Sequence, residues 1–229
     1  MTTTISSKAI GKSVAAKILS GALFMLLMTL GSIGTGGLSL NNAQAQGYET
    51  INPPLNTSDQ ENVEVVEFFW FGCPHCYAFE PSIDEWAANV PENAIFLREA
   101  PPLNPSWEAH SQAFYASQIL GISDKFVPAM FNAIHKEKKR MRKPSDIAEL
   151  AATFGVEKKA FTDAMKSFGV QTRMNRAMQL ARGAGITGVP SLTVNGKYRI
   201  SSGSAGSHEG MIAAINNTVA IEKKSMGLE

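Results

Sequence analysis

The sequence has only two cysteines in 229 residues, and both lie in one short stretch, at Cys73 and Cys76. A scaffold held by several disulfides is therefore excluded. An excess of charge of one sign is also lacking. Removing Lys8, Lys12 and Lys17, which lie near the N-terminus, from a formal net charge of +1 leaves −2. This balance gives no reason to expect nucleic acid or an anionic membrane surface as a partner.

Histidine is scarce as well. A zinc site would need a third and a fourth ligand beside the two thiols. Beyond His75 the chain offers only His110, His135 and His208, which have no paired spacing. A metal site is therefore not expected. A purely structural disulfide is the other alternative. It would stabilise the fold little, because closing so small a loop removes little entropy from the unfolded chain.

Residues 1–45 contain no acidic residue and have the three-part layout of a secretory signal peptide. Lysines precede an apolar segment over 18–30, and the small residues of Ala43-Gln44-Ala45 predict cleavage after the last alanine. The alternative is an uncleaved anchor, since no charge interrupts 18–40. The glycines and the Ala-x-Ala ending favour cleavage. Export implies an oxidising compartment, in which a lone cysteine pair can be stably oxidised.

The first part of the remaining chain predicts strand, helix and strand. Residues 46–61 are polar and predict an irregular lead-in. The run 62–71 is rich in valine and phenylalanine and has apolar residues at both odd and even positions, which predicts a strand buried on both faces. Residues 77–90 predict a helix that Pro91 ends, and 94–98 a second strand.

A long helical region follows three prolines near residue 102. Apolar residues recur there at helical spacing, and glycines close several of the segments. Five short helices are predicted: one starting after Ser106, and four over 124–139, 145–154, 157–168 and 170–182.

The pattern then returns to strands. The turn Asn195-Gly196 between two short apolar runs predicts a β-hairpin, and a last helix is predicted from about Ser207. The order of elements predicts an α/β fold in which 62–102 and 184–229 form one unit. Residues 103–183 are then an inserted helical subdomain.

The two cysteines suggest reversible thiol–disulfide exchange. Pro74 suits a first helical turn, which places Cys73 at a helix N-terminus and Cys76 one turn further on, close enough for a disulfide. Unpaired backbone N–H groups and the helix dipole favour a thiolate at Cys73 and lower its pKa. His75 can add positive charge or a hydrogen bond. A stabilised thiolate favours the reduced form, so the disulfide is more oxidising.

Glu67 is a candidate proton donor. It interrupts the apolar strand, where burial should raise the pKa of its carboxyl group. From beneath the redox helix it could give a proton to the sulfur of Cys76 and take it back. The alternative is a carboxylate that reaches solvent past the strand edge.

Pro190 is a candidate for substrate binding. It follows Gly188 and Val189 at the entry of a predicted strand. From the sequence alone an ordinary trans proline at a strand start is the more frequent case, since only a small minority of X–Pro bonds in folded proteins are cis. A cis bond there would expose the backbone of Val189 for pairing with an extended peptide.

These residues resemble the DsbA family, the secreted thiol oxidases of Gram-negative bacteria. The resemblance lies in Glu67-Phe68-Phe69 leading to Cys73-Pro74-His75-Cys76-Tyr77, in Gly188-Val189-Pro190, and in 194–198. It implies a thioredoxin fold with a helical insert. It further implies that Cys73 is the attacking and attacked sulfur, Cys76 its buried partner, Glu67 a buried acid and Val189-Pro190 a cis-proline substrate-binding turn.

The resemblance also implies how the protein works in the cell. It predicts a monomer in the periplasm, with no cofactor beyond the Cys73–Cys76 disulfide. Substrates would be unfolded secreted proteins with free thiols, and a quinone-linked membrane oxidase of the DsbB type would restore the disulfide. Two alternatives remain: a periplasmic reductase or isomerase, although 46–61 leaves no room for the dimerisation region of DsbC-like isomerases, and a redox-insensitive chaperone using the apolar surface near Trp70 and Val189.

Overall fold

The computed structural model of the protein describes residues 46–228, so the predicted leader lies outside the described residues. Among the helices of that range, none combines the length and the apolar character that a membrane crossing requires. The elements in chain order are β1 (Glu49–Thr50), β2 (Val63–Phe68), α1 (Pro74–Ala88), β3 (Ala94–Glu99), a 3-10 turn (Pro105–Trp107), α2 (Glu108–Ile119), α3 (Ser123–His135), α4 (Pro144–Ala152), α5 (Lys158–Met165), α6 (Phe168–Gly183), β4 (Ser191–Val194), β5 (Tyr198–Ser201), α7 (Ser202–Ala205) and α8 (His208–Met226).

The five strands form one sheet in the order β1-β5-β4-β2-β3. Strand β2 pairs in parallel with β3 and antiparallel with β4. All six residues of β2 are buried, because helices cover both faces of the sheet. Val65 packs in a core with residues of α1 and α8, and Val66 in a second core with the end of α6. The predicted α/β class is confirmed.

Strand β2 ends at Phe68, three residues before the predicted strand end at Phe71. The apolar run continues past the strand end because the side chains of Phe69 and Phe71 enter a third core, which is formed largely by the helical region. Their rings make edge-to-face contacts with Phe114 of α2 and lie near Phe131 of α3. Burial among helices and burial in a sheet give the same apolar pattern over so few residues.

The helical region between β3 and β4 consists of α2 to α6. The helix expected over 124–139 ends at His135 instead. The backbone of Lys138 and Met141 has positive φ angles of 59° and 42°, which a helix cannot contain. Met141 is buried there, and its carbonyl oxygen accepts a hydrogen bond of 2.8 Å from Nε2 of His110. The loop that follows α3 is therefore fixed to α2.

The segment 46–61 was expected to be irregular, yet it adds the short strand β1 to the sheet edge. Glu49–Thr50 pairs antiparallel with β5. Further on, the backbone N–H of Ile51 donates to the carbonyl of Lys197, and that of Leu55 to the carbonyl of Gly196. A two-residue strand has no alternation that a sequence could display. Its pairing comes from the free edge of β5.

The β4–β5 hairpin turns at Asn195 and Gly196, whose φ angles are 49° and 64°. Two successive left-handed residues are what the centre of a type I′ turn requires, and the N–H of Lys197 closes the turn by donating to the carbonyl of Val194 over 3.0 Å. A Cβ added at Gly196 would collide with the backbone carbonyl of Leu55. The turn therefore needs glycine both for its backbone angle and for the close approach of the lead-in segment.

We expect Gly196→Ala to lower the free energy of unfolding by about 3 kcal/mol, because left-handed strain adds to a backbone clash. Gly121→Ala is the matched control: its φ of 68° is similar, but no atom lies within 4 Å of the added Cβ. It should cost only about 1 kcal/mol. Urea unfolding of both variants measures the difference. Equal losses would contradict the contact between the turn and Leu55.

Candidate active site

The two cysteines lie where β2 gives way to α1. Cys73 is the N-cap of α1, with extended backbone angles (φ −84°, ψ 117°), and Pro74 is the first helical residue. The backbone N–H of Cys76 donates to Sγ of Cys73 over 3.5 Å. Both thiols are free, and Cys76 is fully buried while Cys73 is 7% exposed. The structure thus places Cys73 at the helix N-terminus and Cys76 one turn inside.

The environment drives the pKa values of the two thiols apart. A hydrogen bond from the Cys76 side chain is the largest cause that lowers the pKa of Cys73 to about 6, and backbone N–H groups of Cys76 and His75 contribute. Burial opposes this shift. The pKa of Cys76 is raised far above its ordinary value, mainly by burial. At neutral pH Cys73 is therefore a thiolate and Cys76 a thiol.

His75 contributes less to the lowered pKa of Cys73 than its position between the cysteines suggested. Its ring is exposed to solvent. Its positive charge is the weakest of the causes that lower the pKa of Cys73, behind the hydrogen bonds from Cys76 and from its own backbone. The helix N-terminus and the second thiol therefore dominate.

The turn at Val189-Pro190 lies against the same sulfur. The peptide bond between these residues is cis. Sγ of Cys73 lies 3.4 Å from the carbonyl oxygen of Val189. The sheet explains this proximity, because β4 runs antiparallel to β2 and its first residue, Ser191, pairs with Phe68, the last residue of β2. Both turns consequently emerge at the same end of the sheet.

Glu67 is completely buried, so the alternative that it reaches solvent is wrong. It is not a free acid either, since Nε of Arg98 donates to its Oε2 over 2.8 Å. Its other oxygen, Oε1, has no hydrogen-bond partner among residues 46–228. Burial raises the pKa of Glu67, and Arg98 opposes this. The negative charge of Glu67 is one of the causes that raise the pKa of Cys76.

Arg98 is the site residue that the sequence did not reveal. Its guanidinium group also contacts Glu80 at 3.3 Å and Asp84 at 3.0 Å, both on α1. Burial is the main cause that raises the pKa of Glu80 to about 8. Only the register of the two strands could have revealed Arg98, because it lies directly opposite Glu67 on the neighbouring strand. Because one guanidinium cannot neutralise three carboxylates, this cluster can hold a proton near neutral pH.

Aromatic side chains border the cysteines. Trp70 stacks on Trp107 with ring centroids 4.5 Å apart and planes 6° apart. A Cβ at Gly72 would collide with the ring of Trp70, so the residue before Cys73 must be glycine in this arrangement. Val189 packs against the same core. The site therefore brings together a sulfur of lowered pKa, the backbone carbonyl that it contacts and apolar side chains.

A family model for the DSBA-like thioredoxin domain matches residues 64–209, a stretch that contains the cysteines, Glu67, Arg98 and Pro190. The chain belongs to this family. The predicted resemblance and the thioredoxin fold are thereby confirmed.

Curated relatives agree with the family. The thiol:disulfide interchange protein DsbA of Azotobacter vinelandii is 37% identical over 212 residues, which cover 91% of this chain and 99% of that protein. DsbA of Burkholderia cepacia is 42% identical over 180 residues, covering 77% and 85%. The crystal structure of Pseudomonas aeruginosa DsbA superposes with a TM-score of 0.75 at 36% identity, covering 79% of this chain and 94% of that one. The predicted enzyme class, a thiol:disulfide oxidoreductase, is confirmed.

We expect the Glu80 carboxyl group to make stability depend on pH. Because its pKa rises from an ordinary 4.5 to about 8, the native state holds a proton that the unfolded state has released. Stability is then fully present below about pH 4.5 and falls as pH rises towards 8, by at most about 1.4 kcal/mol per pH unit. Glu80→Gln removes this contribution.

Urea unfolding at about pH 5 and about pH 8.5 measures the effect, and the variant should lose less stability between the two than the wild type. Glu85→Gln, at an exposed position of the same helix, is the control and should follow the wild type. Parallel pH profiles for wild type and Glu80→Gln would contradict the assignment.

Proposed function

We propose that this chain is an oxidase that donates its Cys73–Cys76 disulfide to newly exported proteins. One observation carries the proposal: the pKa of Cys73 is lowered to about 6 while that of its partner Cys76 is strongly raised. Stabilising the Cys73 thiolate stabilises the reduced protein relative to the disulfide. A disulfide whose reduced form is favoured is a strong oxidant.

Exchange proceeds in two steps. A substrate thiolate attacks Sγ of Cys73, the bond between Cys73 and Cys76 breaks, and Cys76 departs as a thiolate that takes up a proton. A second substrate thiolate then attacks the substrate sulfur of the mixed disulfide and expels Cys73 as a thiolate. Its low pKa makes Cys73 a good leaving group. Two electrons pass from the substrate dithiol to the protein, and the substrate departs with a disulfide.

The buried carboxyl groups serve the first step. Cys76 is too deeply buried to stay ionised, so its sulfur needs a proton as it leaves. Glu67 is close enough for its charge to act on Cys76, and Arg98 joins Glu67 to Glu80, whose pKa of about 8 keeps it protonated at neutral pH. We assign to this cluster the transfer of a proton to and from Cys76.

Substrate binds at the turn beside Cys73. The proposed contact is an extended peptide segment that pairs with the backbone of Val189, with Pro190 holding the turn. The carbonyl of Val189 already lies 3.4 Å from Sγ of Cys73. Trp70 and Trp107 offer apolar surface for unfolded chains, so recognition needs no particular side-chain sequence.

The proposal includes the cellular setting. The leader 1–45 is removed after export to the periplasm, and the mature chain acts as a monomer with no cofactor beyond its own disulfide. Residues 62–102 and 184–229 form the thioredoxin-like domain, and 103–183 the helical subdomain. A quinone-linked membrane oxidase of the DsbB type accepts the two electrons from the Cys73 and Cys76 thiols.

The reduction potential tests the direction of the reaction. We expect equilibration with glutathione to give a value well above about −200 mV, since the Cys73 thiolate favours the reduced form. A potential near the −270 mV or so typical of thioredoxin would instead make the protein a reductase. Acid quenching and mass spectrometry of the trapped thiols measure the oxidised fraction.

The two cysteines should differ in their substitution effects. Cys73→Ser should abolish exchange, because no sulfur remains for a substrate to attack. Cys76→Ser should accumulate mixed disulfides with substrate proteins at Cys73, since the resolving thiol is lost. Non-reducing electrophoresis of cell extracts measures both outcomes. Equal residual activity, or adducts on Cys76 rather than Cys73, would contradict the assigned roles.

A further inference from the structure

His135, the last residue of α3, touches the active-site turn from the helical region. Its Nε2 lies 2.7 Å from the carbonyl oxygen of Phe71. Because a carbonyl only accepts, Nε2 carries the proton and donates. The imidazole ring also stacks on Tyr77, with centroids 4.8 Å apart and planes 11° apart. One side chain therefore makes both a directed hydrogen bond and a flat ring contact.

The two contacts of His135 lie on either side of the cysteine motif. Phe71 comes two residues before Cys73, and Tyr77 directly follows Cys76. The hydroxyl of Tyr77 also donates to Oδ1 of Asn132, on the same helix as His135, over 3.2 Å. The end of α3 thus holds the chain where it enters the motif and where it leaves it.

The entering segment needs such support because it has left the sheet. Strand pairing ends at Phe68, and Gly72, the residue with the freest backbone, lies between Phe71 and Cys73. The N–H of Cys73 donates to the carbonyl of Trp70 over 2.9 Å. The bond from His135 to Phe71 fixes the middle of this turn, and with it the position of the Cys73 sulfur over the first N–H groups of α1.

We propose that His135 is a positioning residue that makes the Cys73–Cys76 disulfide more oxidising, by holding Cys73 against the helix N-terminus in the reduced protein. The two redox states need this support unequally. In the oxidised protein the S–S bond itself keeps Cys73 beside Cys76. In the reduced protein no covalent bond does so, and the interaction of the thiolate with backbone N–H groups depends on alignment. The proposal rests on the proposed function of the cysteine pair.

Three substitutions separate the two contacts of His135. His135→Phe keeps a ring to stack on Tyr77 and removes the donor. His135→Gln keeps an amide N–H at nearly the reach of Nε2 and removes the ring. His135→Asn carries the same amide one methylene shorter, too short to reach the Phe71 carbonyl, and serves if phenylalanine prevents folding.

The readouts are the equilibrium with glutathione and the pH titration of thiolate ultraviolet absorbance. His135→Phe and His135→Asn should make the disulfide about three to ten times less oxidising, a tenfold change being about 30 mV, and should raise the pKa of Cys73. His135→Gln should stay within about twofold of the wild type, because the hydrogen bond is retained. Unfolding measured in both redox states should show a larger loss for the reduced protein.

His208→Phe is the matched control, because His208 also packs on an aromatic ring, that of Phe79, but makes no side-chain hydrogen bond among residues 46–228. It should leave the glutathione equilibrium unchanged. The proposal is overturned if His135→Phe and His135→Asn have the same Cys73 pKa and the same glutathione equilibrium as the wild type, even if they unfold more easily. It is also overturned if His135→Gln shifts these two quantities as far as His135→Phe and His135→Asn do. A reducing potential of the wild-type protein would contradict the oxidase function but not the role of His135, because the shifts of the variants are measured relative to the wild type.

Discussion

A negatively charged sulfur held at a helix N-terminus is the interaction on which the rest of the site depends. Sγ of Cys73 faces the N–H of Cys76, and the pKa of Cys73 falls to about 6 despite its burial. Such an interaction is directional, so it requires a turn that delivers the sulfur accurately. Strand β2 supplies the approach, Pro74 begins the helix without needing a donor, and Gly72 allows the chain to pass under Trp70.

Burial favours the protonated form of Cys76, Glu80 and Glu67 alike. It keeps Cys76 protonated, which makes that sulfur a poor competitor for substrates. Glu80, one turn further along α1, and Glu67, on β2, would be costly to bury if both were ionised without a partner. The ion pairs with Arg98 offset part of this cost, and a proton retained on the carboxyl groups offsets more. In the proposed mechanism this retained proton neutralises the Cys76 thiolate, so a feature that weakens the fold at higher pH would serve the exchange reaction.

Local signals explain what the sequence predicted. Pro74 between the cysteines, Asn195-Gly196 in the hairpin and Ser207 before α8 act within a few residues, so their effects are visible in the sequence. Arg98 was missed because its partner Glu67 is thirty-one residues away and only the β2–β3 register brings them together. The end of β2 was misplaced because Phe69 and Phe71 are as apolar in a helical core as in a strand.

The helical region is part of the redox site and not an appendage to it. Phe69, Phe71 and both cysteines share one core with residues of α2 to α6, whereas Val65 belongs to the core beneath α1 and α8. Any contact from that region that differs in strength between the two redox states must shift the reduction potential, because the potential measures the difference in their free energies. A thioredoxin-like strand–turn–helix unit can therefore change its oxidising strength through neighbouring helices while its cysteine motif stays the same.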